Sequence, residues 1–137
     1  MRRFIMNKDR IEFQAENVAI ESRDGAYIVG FSSSISAAPE LYVILQRSIQ
    51  DTDDDHSLGH DIYYVEVSGI GSGYGGIQKV TLSNDKLSLQ INQPSKYFGD
   101  LGMIIISFNL NSDEKTRLEN QIRSIFRDTD CQLSFVN

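Results

Sequence analysis

Three carboxylates, Asp51, Asp53 and Asp55, alternate along the chain in the manner that opens an EF-hand calcium loop. The rest of that loop is missing. Its sixth position, where glycine makes the sharp turn, is His56, and its twelfth, where a bidentate glutamate belongs, is Ile62. With Asp54 these residues make a run of four acids whose mutual repulsion favours an open, hydrated loop unless a cation or a basic partner neutralises it. A weak calcium site at Asp51, Asp53 and Asp55 remains a secondary reading. His56, His60 and Asp61 could be imagined as metal ligands or as a base with its orienting carboxylate. Two histidines four apart share a face on a helix, however, and this segment reads as loop, so surface histidines are expected.

The stretch GIGSGYGG (69–76) would let backbone amides approach a phosphate closely, but nucleotide-binding loops of that kind run into a helix N-terminus. Here Ile77-Gln78-Lys79-Val80 begins a strand pattern, and the stretch is expected to be an irregular loop displaying Tyr74. Glu66, on a strand among aromatic neighbours, is the best candidate for a carboxyl with a raised pKa, because partial burial disfavours its charged form. Arg47 would be its structural partner. No nucleophile completes a catalytic set: Cys131 is far away in sequence and no serine sits in a nucleophile elbow. A small enzyme using Glu66 and a nearby tyrosine is therefore the minor reading, behind a non-catalytic protein that needs no cofactor.

Several β-rich runs must position these residues. Arg23-Asp24-Gly25-Ala26 predicts a type I′ hairpin turn that sets Ile20 opposite Val29 and Val18 opposite Phe31. Upstream, Ile11, Phe13 and Ala15 share one parity while Val18 and Ile20 share the other, so the chain must change phase near Glu16-Asn17. Segment 32–40, which ends in Pro39-Glu40, reads as a connection. LYVILQR (41–47) is apolar on both parities until its end, the mark of a strand central in its sheet. DIYYVEV (61–67) puts Tyr63, Val65 and Val67 on one face and Ile62, Tyr64 and Glu66 on the other. A turn at Asn84-Asp85 pairs Leu82 with Leu87 and Val80 with Leu89, and GMIIISFNL (102–110) reads as a strand near the middle of the sheet.

The period then changes. Leu118, Ile122, Ile125 and Phe126 make an amphipathic helical stripe, with Asn111 and Glu114 as a capping box and Asp113, Glu114, Arg123 and Arg127 placed to suit the dipole. Leu133 and Phe135 suggest a last short strand. The expected fold is α+β: a mostly antiparallel sheet of about six to eight strands built from hairpins, with one C-terminal amphipathic helix packed on it. All 137 residues form one domain, with 1–10 flexible or peripheral.

The net charge of −6 argues against nucleic acid as partner, since phosphate binding needs clustered Lys and Arg, and suits a basic protein instead. No apolar run approaches the roughly twenty residues that span a bilayer. The N-terminal MRRFIMNKDR lacks the apolar core of a secretory signal, and with a single cysteine no intramolecular disulfide forms. A cytoplasmic protein is expected, monomeric or paired through a sheet edge.

The strings from Tyr42 to Arg47, Tyr64 to Glu66 and Gly73 to Ile77, spaced by the acidic loop, resemble the immunity protein 10 family of bacterial polymorphic toxin systems. The resemblance covers 16–126. It implies a non-enzymatic cytoplasmic protein that binds and neutralises a cognate toxin domain, without fixing the toxin's chemistry. The acidic loop would steer toward a basic toxin, and toward a nuclease Asp51, Asp53, Asp54 and Asp55 would stand in for phosphates. Interface hot spots favour Tyr and Arg, which names Arg47, Tyr63, Tyr64 and Tyr74 as anchors, with Glu66 on a supporting strand.

Overall fold

The computed structural model describes residues 4–34, 41–49 and 63–136. Among them the chain forms strands β1 (Phe4–Met6), β2 (Arg10–Gln14), β3 (Asn17–Arg23), β4 (Ala26–Ser32), β5 (Tyr42–Ser48), β6 (Tyr63–Val67), β7 (Gly71–Tyr74), β8 (Ile77–Leu82), β9 (Lys86–Ile91) and β10 (Met103–Ser107), then helix α1 (Ser112–Phe126) and strand β11 (Gln132–Phe135). The α+β class holds. The strands outnumber the expectation because they divide between two sheets, one of six in the order β1-β2-β10-β9-β8-β11 and one of five in the order β3-β4-β5-β6-β7.

Both hairpin registers follow the sequence pattern. Ile20 pairs with Val29 and Val18 with Phe31, across a turn in which Asp24 (φ 54°) and Gly25 (φ 75°) take the positive dihedrals of a type I′ turn. Leu82 pairs with Leu87 and Val80 with Leu89. The phase change near Glu16 is the passage between sheets: the Ala15 amide donates to Ser107 of the six-stranded sheet at 2.8 Å, and the next amide, Glu16, to Ser32 of the five-stranded one at 2.9 Å. A one-residue phase shift is what turns the apolar parity of β3 back toward the same core. Two pairings are parallel, β2 with β10 and β8 with β11, the second realising the expected strand through Leu133 and Phe135.

The inner faces of both sheets close on one core. Ile11, Phe13, Ile104, Ile106, Leu87 and Leu89 come from one side, Val29, Phe31, Val43, Leu45 and Val65 from the other, and Phe31 stacks on Phe108 at 6.2 Å between centroids. β5 is the middle strand of its sheet and β10 lies inside the other. Leu118, Ile122, Ile125 and Phe126 of α1 join the core, with the helix against β3, β4 and β5. The helix starts at the anticipated capping box: the Glu114 amide donates to Asn111 Oδ1 at 2.9 Å, and the Asn111 amide to Glu114 Oε1 at 3.0 Å.

The glycine stretch departs from expectation, since Gly71–Tyr74 is a strand, paired antiparallel with β6. Its glycines are there for a neighbour. The Tyr97 ring lies against Gly73, where a Cβ would clash with its ring carbons, and a Cβ on Gly71 would meet the Tyr97 carbonyl. Gly75 (φ 77°) and Gly76 (φ 93°) then carry the chain from one sheet to the other in dihedrals that L side chains rarely adopt. The Gly75 amide still donates to Tyr63 of the five-stranded sheet, while the Gly76 carbonyl accepts from Asn92 beside the six-stranded one.

Candidate functional site

Alternation along β5 and β6 sorts their side chains by face. Val43, Leu45, Arg47, Tyr63, Val65 and Val67 point inward and are buried, whereas Tyr42, Ile44, Gln46, Tyr64 and Glu66 point outward and are half-buried. The registers then set Glu66 between Ile44 on β5 and Ser72 on β7, and Tyr64 between Gln46 and Tyr74. Residues far apart in sequence thus share the outer face of the five-stranded sheet, which Ile28 and Gly30 of β4 extend.

Glu66 is the centre of this group. Tyr42 donates its hydroxyl to Glu66 Oε2 at 2.6 Å and Tyr64 donates to Oε1 at 2.7 Å, so each carboxylate oxygen holds one phenol. Distances this short are those of hydrogen bonds to an ionised acceptor. The Tyr64 ring meets the Tyr74 ring edge-on, 5.5 Å between centroids, and Tyr74 is 59% exposed.

The electrostatics follow. The bond from Tyr42, then that from Tyr64, hold the Glu66 carboxyl below its ordinary range against an opposing push from burial. This corrects the expected upward shift: the donors around the carboxylate outweigh its desolvation. The Tyr42 phenol is raised in return, by its bond to Glu66 and by that residue's charge. The Tyr64 phenol rises as well; a hydrogen bond with Ser72 pulls it down, but Glu66 and burial outweigh that pull.

Arg47, expected as the partner of Glu66, lies on the opposite face, and Tyr63 lies there with it, as alternation along β6 requires. Arg47 is 2% exposed, and its guanidinium donates to the carbonyls of Ile125, at 3.1 Å, and Arg127, at the C-terminal end of α1. The anticipated Glu66 to Arg47 pairing is therefore replaced by Glu66 with two tyrosines, because residues 47 and 66 have opposite parity in the paired strands. Tyr63 packs on Phe126, 4.7 Å between centroids, and its hydroxyl accepts from the Ile77 amide at 3.0 Å. Asp51, Asp53, Asp54 and Asp55, with His56, His60 and Asp61, lie outside the described residues, and the calcium reading lies there with them.

Tyr42 is the member of the group that sequence reasoning did not single out. Its string is apolar on both parities, so nothing in it showed which face was left open, and its reach to Glu66 depends on a register set across residues 49–62. Cys131 is buried, which pushes its thiol up to about 12 against an opposing hydrogen bond from the Val80 backbone. As a thiol it is a poor nucleophile. Among the described residues no helix is long and apolar enough to cross a membrane.

Compared with known families, residues 14–120 match the family model described as Immunity protein 10. No curated protein matches the chain.

Proposed function

This chain belongs to the immunity protein 10 family, and from that premise we propose that it binds a cognate toxin domain in the cytoplasm and neutralises it without catalysis, using the outer face of the five-stranded sheet as its anchoring surface. The observation that carries this reading is the group Tyr42, Tyr64, Glu66 and Tyr74. These are hot-spot residue types, pre-ordered by their own hydrogen bonds and ring contact on a rigid sheet. Side chains already held in one rotamer lose less entropy when a partner docks. In this reading Arg47 and Tyr63 act from inside, by holding α1 and the passage to β8 against the strands that display the surface. Asp51, Asp53, Asp54 and Asp55 steer a basic toxin during its approach.

The test is co-expression with its cognate toxin domain. Growth should be restored by the wild-type chain and lost when Tyr64 and Tyr74 are both changed to alanine in a protein that still folds. Neutralising the four aspartates should slow association and flatten its salt dependence while leaving dissociation nearly unchanged. Full protection by the double tyrosine variant would move the anchoring surface elsewhere.

A further inference from the structure

Several carboxylates among the described residues have no ion-pair partner, and Glu66 is the one held by two phenol donors. Glu21 is matched by Arg23 at 2.7 Å, Glu12 by Arg10 at 3.3 Å and Glu119 by Arg123 at 3.4 Å, whereas Glu66 has no Lys or Arg partner among the described residues. Its two contacts are phenols. These neutral donors keep the carboxylate ionised without cancelling its charge.

The free coordination of that carboxylate is specific. An ionised carboxylate has about four lone-pair sites, two on each oxygen. One phenol fills a site on Oε1 and another fills a site on Oε2, so one acceptor site remains on each oxygen. Two adjacent acceptors match the parallel N–H groups of a guanidinium better than the single point charge of an ammonium. The surroundings favour the same group. Guanidinium is planar, weakly hydrated and stacks on aromatic rings, and here the Tyr42 and Tyr64 hydroxyls hold the carboxylate, while the exposed Tyr74 ring meets Tyr64 edge-on. Ile28 and Ile44 on the same face offer apolar surface for the methylene stem. The net charge of −6 works in the same direction by attracting a basic surface.

We infer that Glu66, with Tyr42, Tyr64 and Tyr74, is a receptor for one arginine side chain projected by the bound toxin domain. This deepens the reading above and rests on it for the identity of the partner. Tyr42 and Tyr64 act as positioning residues that hold both carboxylate oxygens in place, Glu66 accepts the forked donor, and Tyr74 closes over the guanidinium.

The test separates the two claims. The full chain, isotopically labelled, is titrated at low ionic strength with N-acetyl-arginine methylamide, and in parallel with the lysine and citrulline analogues, while backbone amide shifts are followed by NMR. The arginine probe should give saturable shifts centred on Tyr64, Glu66, Ser72 and Tyr74, with the lysine probe binding at least about threefold more weakly and neutral citrulline giving none. Glu66→Gln, close to isosteric, should abolish the shifts, and Tyr74→Leu, at an exposed site, should weaken binding roughly fivefold. Equal binding of lysine or citrulline, shifts centred elsewhere, or shifts that survive Glu66→Gln overturn the inference. Rescue of growth by the wild-type chain without arginine-specific shifts sinks the receptor alone. Absence of rescue sinks the neutralisation reading, and with it the toxin as the source of the arginine.

Discussion

Replacing Arg47 by alanine should destabilise the protein by about 3–5 kcal/mol, far more than a surface substitution. The magnitude comes from where the guanidinium ends. It donates to the carbonyls of Ile125 and Arg127, two of the acceptors that the end of α1 leaves without intrahelical donors, and the residue is almost wholly buried. Each buried acceptor deprived of its donor costs about 1–3 kcal/mol. Removing a positive charge from the negative end of the helix adds up to about 2 kcal/mol in a partly buried setting. Against a total stability of roughly 5–15 kcal/mol for a single domain, the loss is a large fraction. For a chain of 137 residues it corresponds to a fall in Tm of roughly 10–20 °C. Urea denaturation followed by far-UV circular dichroism measures the free energy directly. Arg47→Lys keeps the charge but loses the fork, and should recover about half of the loss. A deficit below about 1 kcal/mol for Arg47→Ala would refute the reasoning, since it would mean that the carbonyls find other donors at no cost.

Gly73→Ala should cost about 2–3 kcal/mol, because its Cβ would clash with the Tyr97 ring carbons, and adding Tyr97→Ala should cancel most of the strain in a double-mutant cycle; additive losses would contradict the contact. The Tyr42 phenol should titrate above 10.0 in ultraviolet difference spectra and return toward 10.0 in Glu66→Gln. Its raised folded pKa contributes stability that is present below pH 10.0 and lost as pH rises through the folded value, and the depressed Glu66 pKa contributes stability present above pH 4.5 and lost as pH falls through its own. Tyr42→Phe should therefore cost most between those limits, the difference from wild type shrinking at both extremes; a pH-independent cost would count against the bond. Cys131, buried and with its thiol pushed up to about 12, should resist a thiol-reactive disulfide in mildly alkaline native protein and react only as fast as the chain unfolds; rapid stoichiometric labelling of the folded state would show that the site opens.

What was legible in advance was what short-range physics decides. The hairpin at Asp24-Gly25 follows from dihedrals that few residue pairs tolerate, and its register follows from the parity of Val18 and Ile20 against Val29 and Phe31. The helix follows from its apolar stripe and the capping box at Asn111 and Glu114, both complete within four turns of chain. Period-two alternation likewise placed Tyr63 and Tyr64 on opposite faces of their strand.

The candidate site was only partly legible, because its residues meet through non-local pairing. Alternation shows that Arg47 and Glu66 differ from their neighbours in facing, but it cannot say which face of β5 is covered when both parities are apolar. Only the docking of α1 made Arg47 an internal clamp. Only the β5 to β6 register brought Tyr42 to Glu66, and the sign of the Glu66 pKa shift hung on that contact. The glycine stretch shows the same division. Its composition announced an unusual backbone, yet Gly71 and Gly73 serve a tyrosine more than twenty residues away, and that requirement exists only once the chain has folded over it. The amino-acid sequence by itself determined the turns, the helix and the faces of the strands, because each depends on dihedral preference and side-chain period over a few residues. The division into two sheets, the parallel pairings and the open tyrosine face were decided by tertiary structure, because burying several amphipathic faces at once is a property of their assembly and not of any one segment.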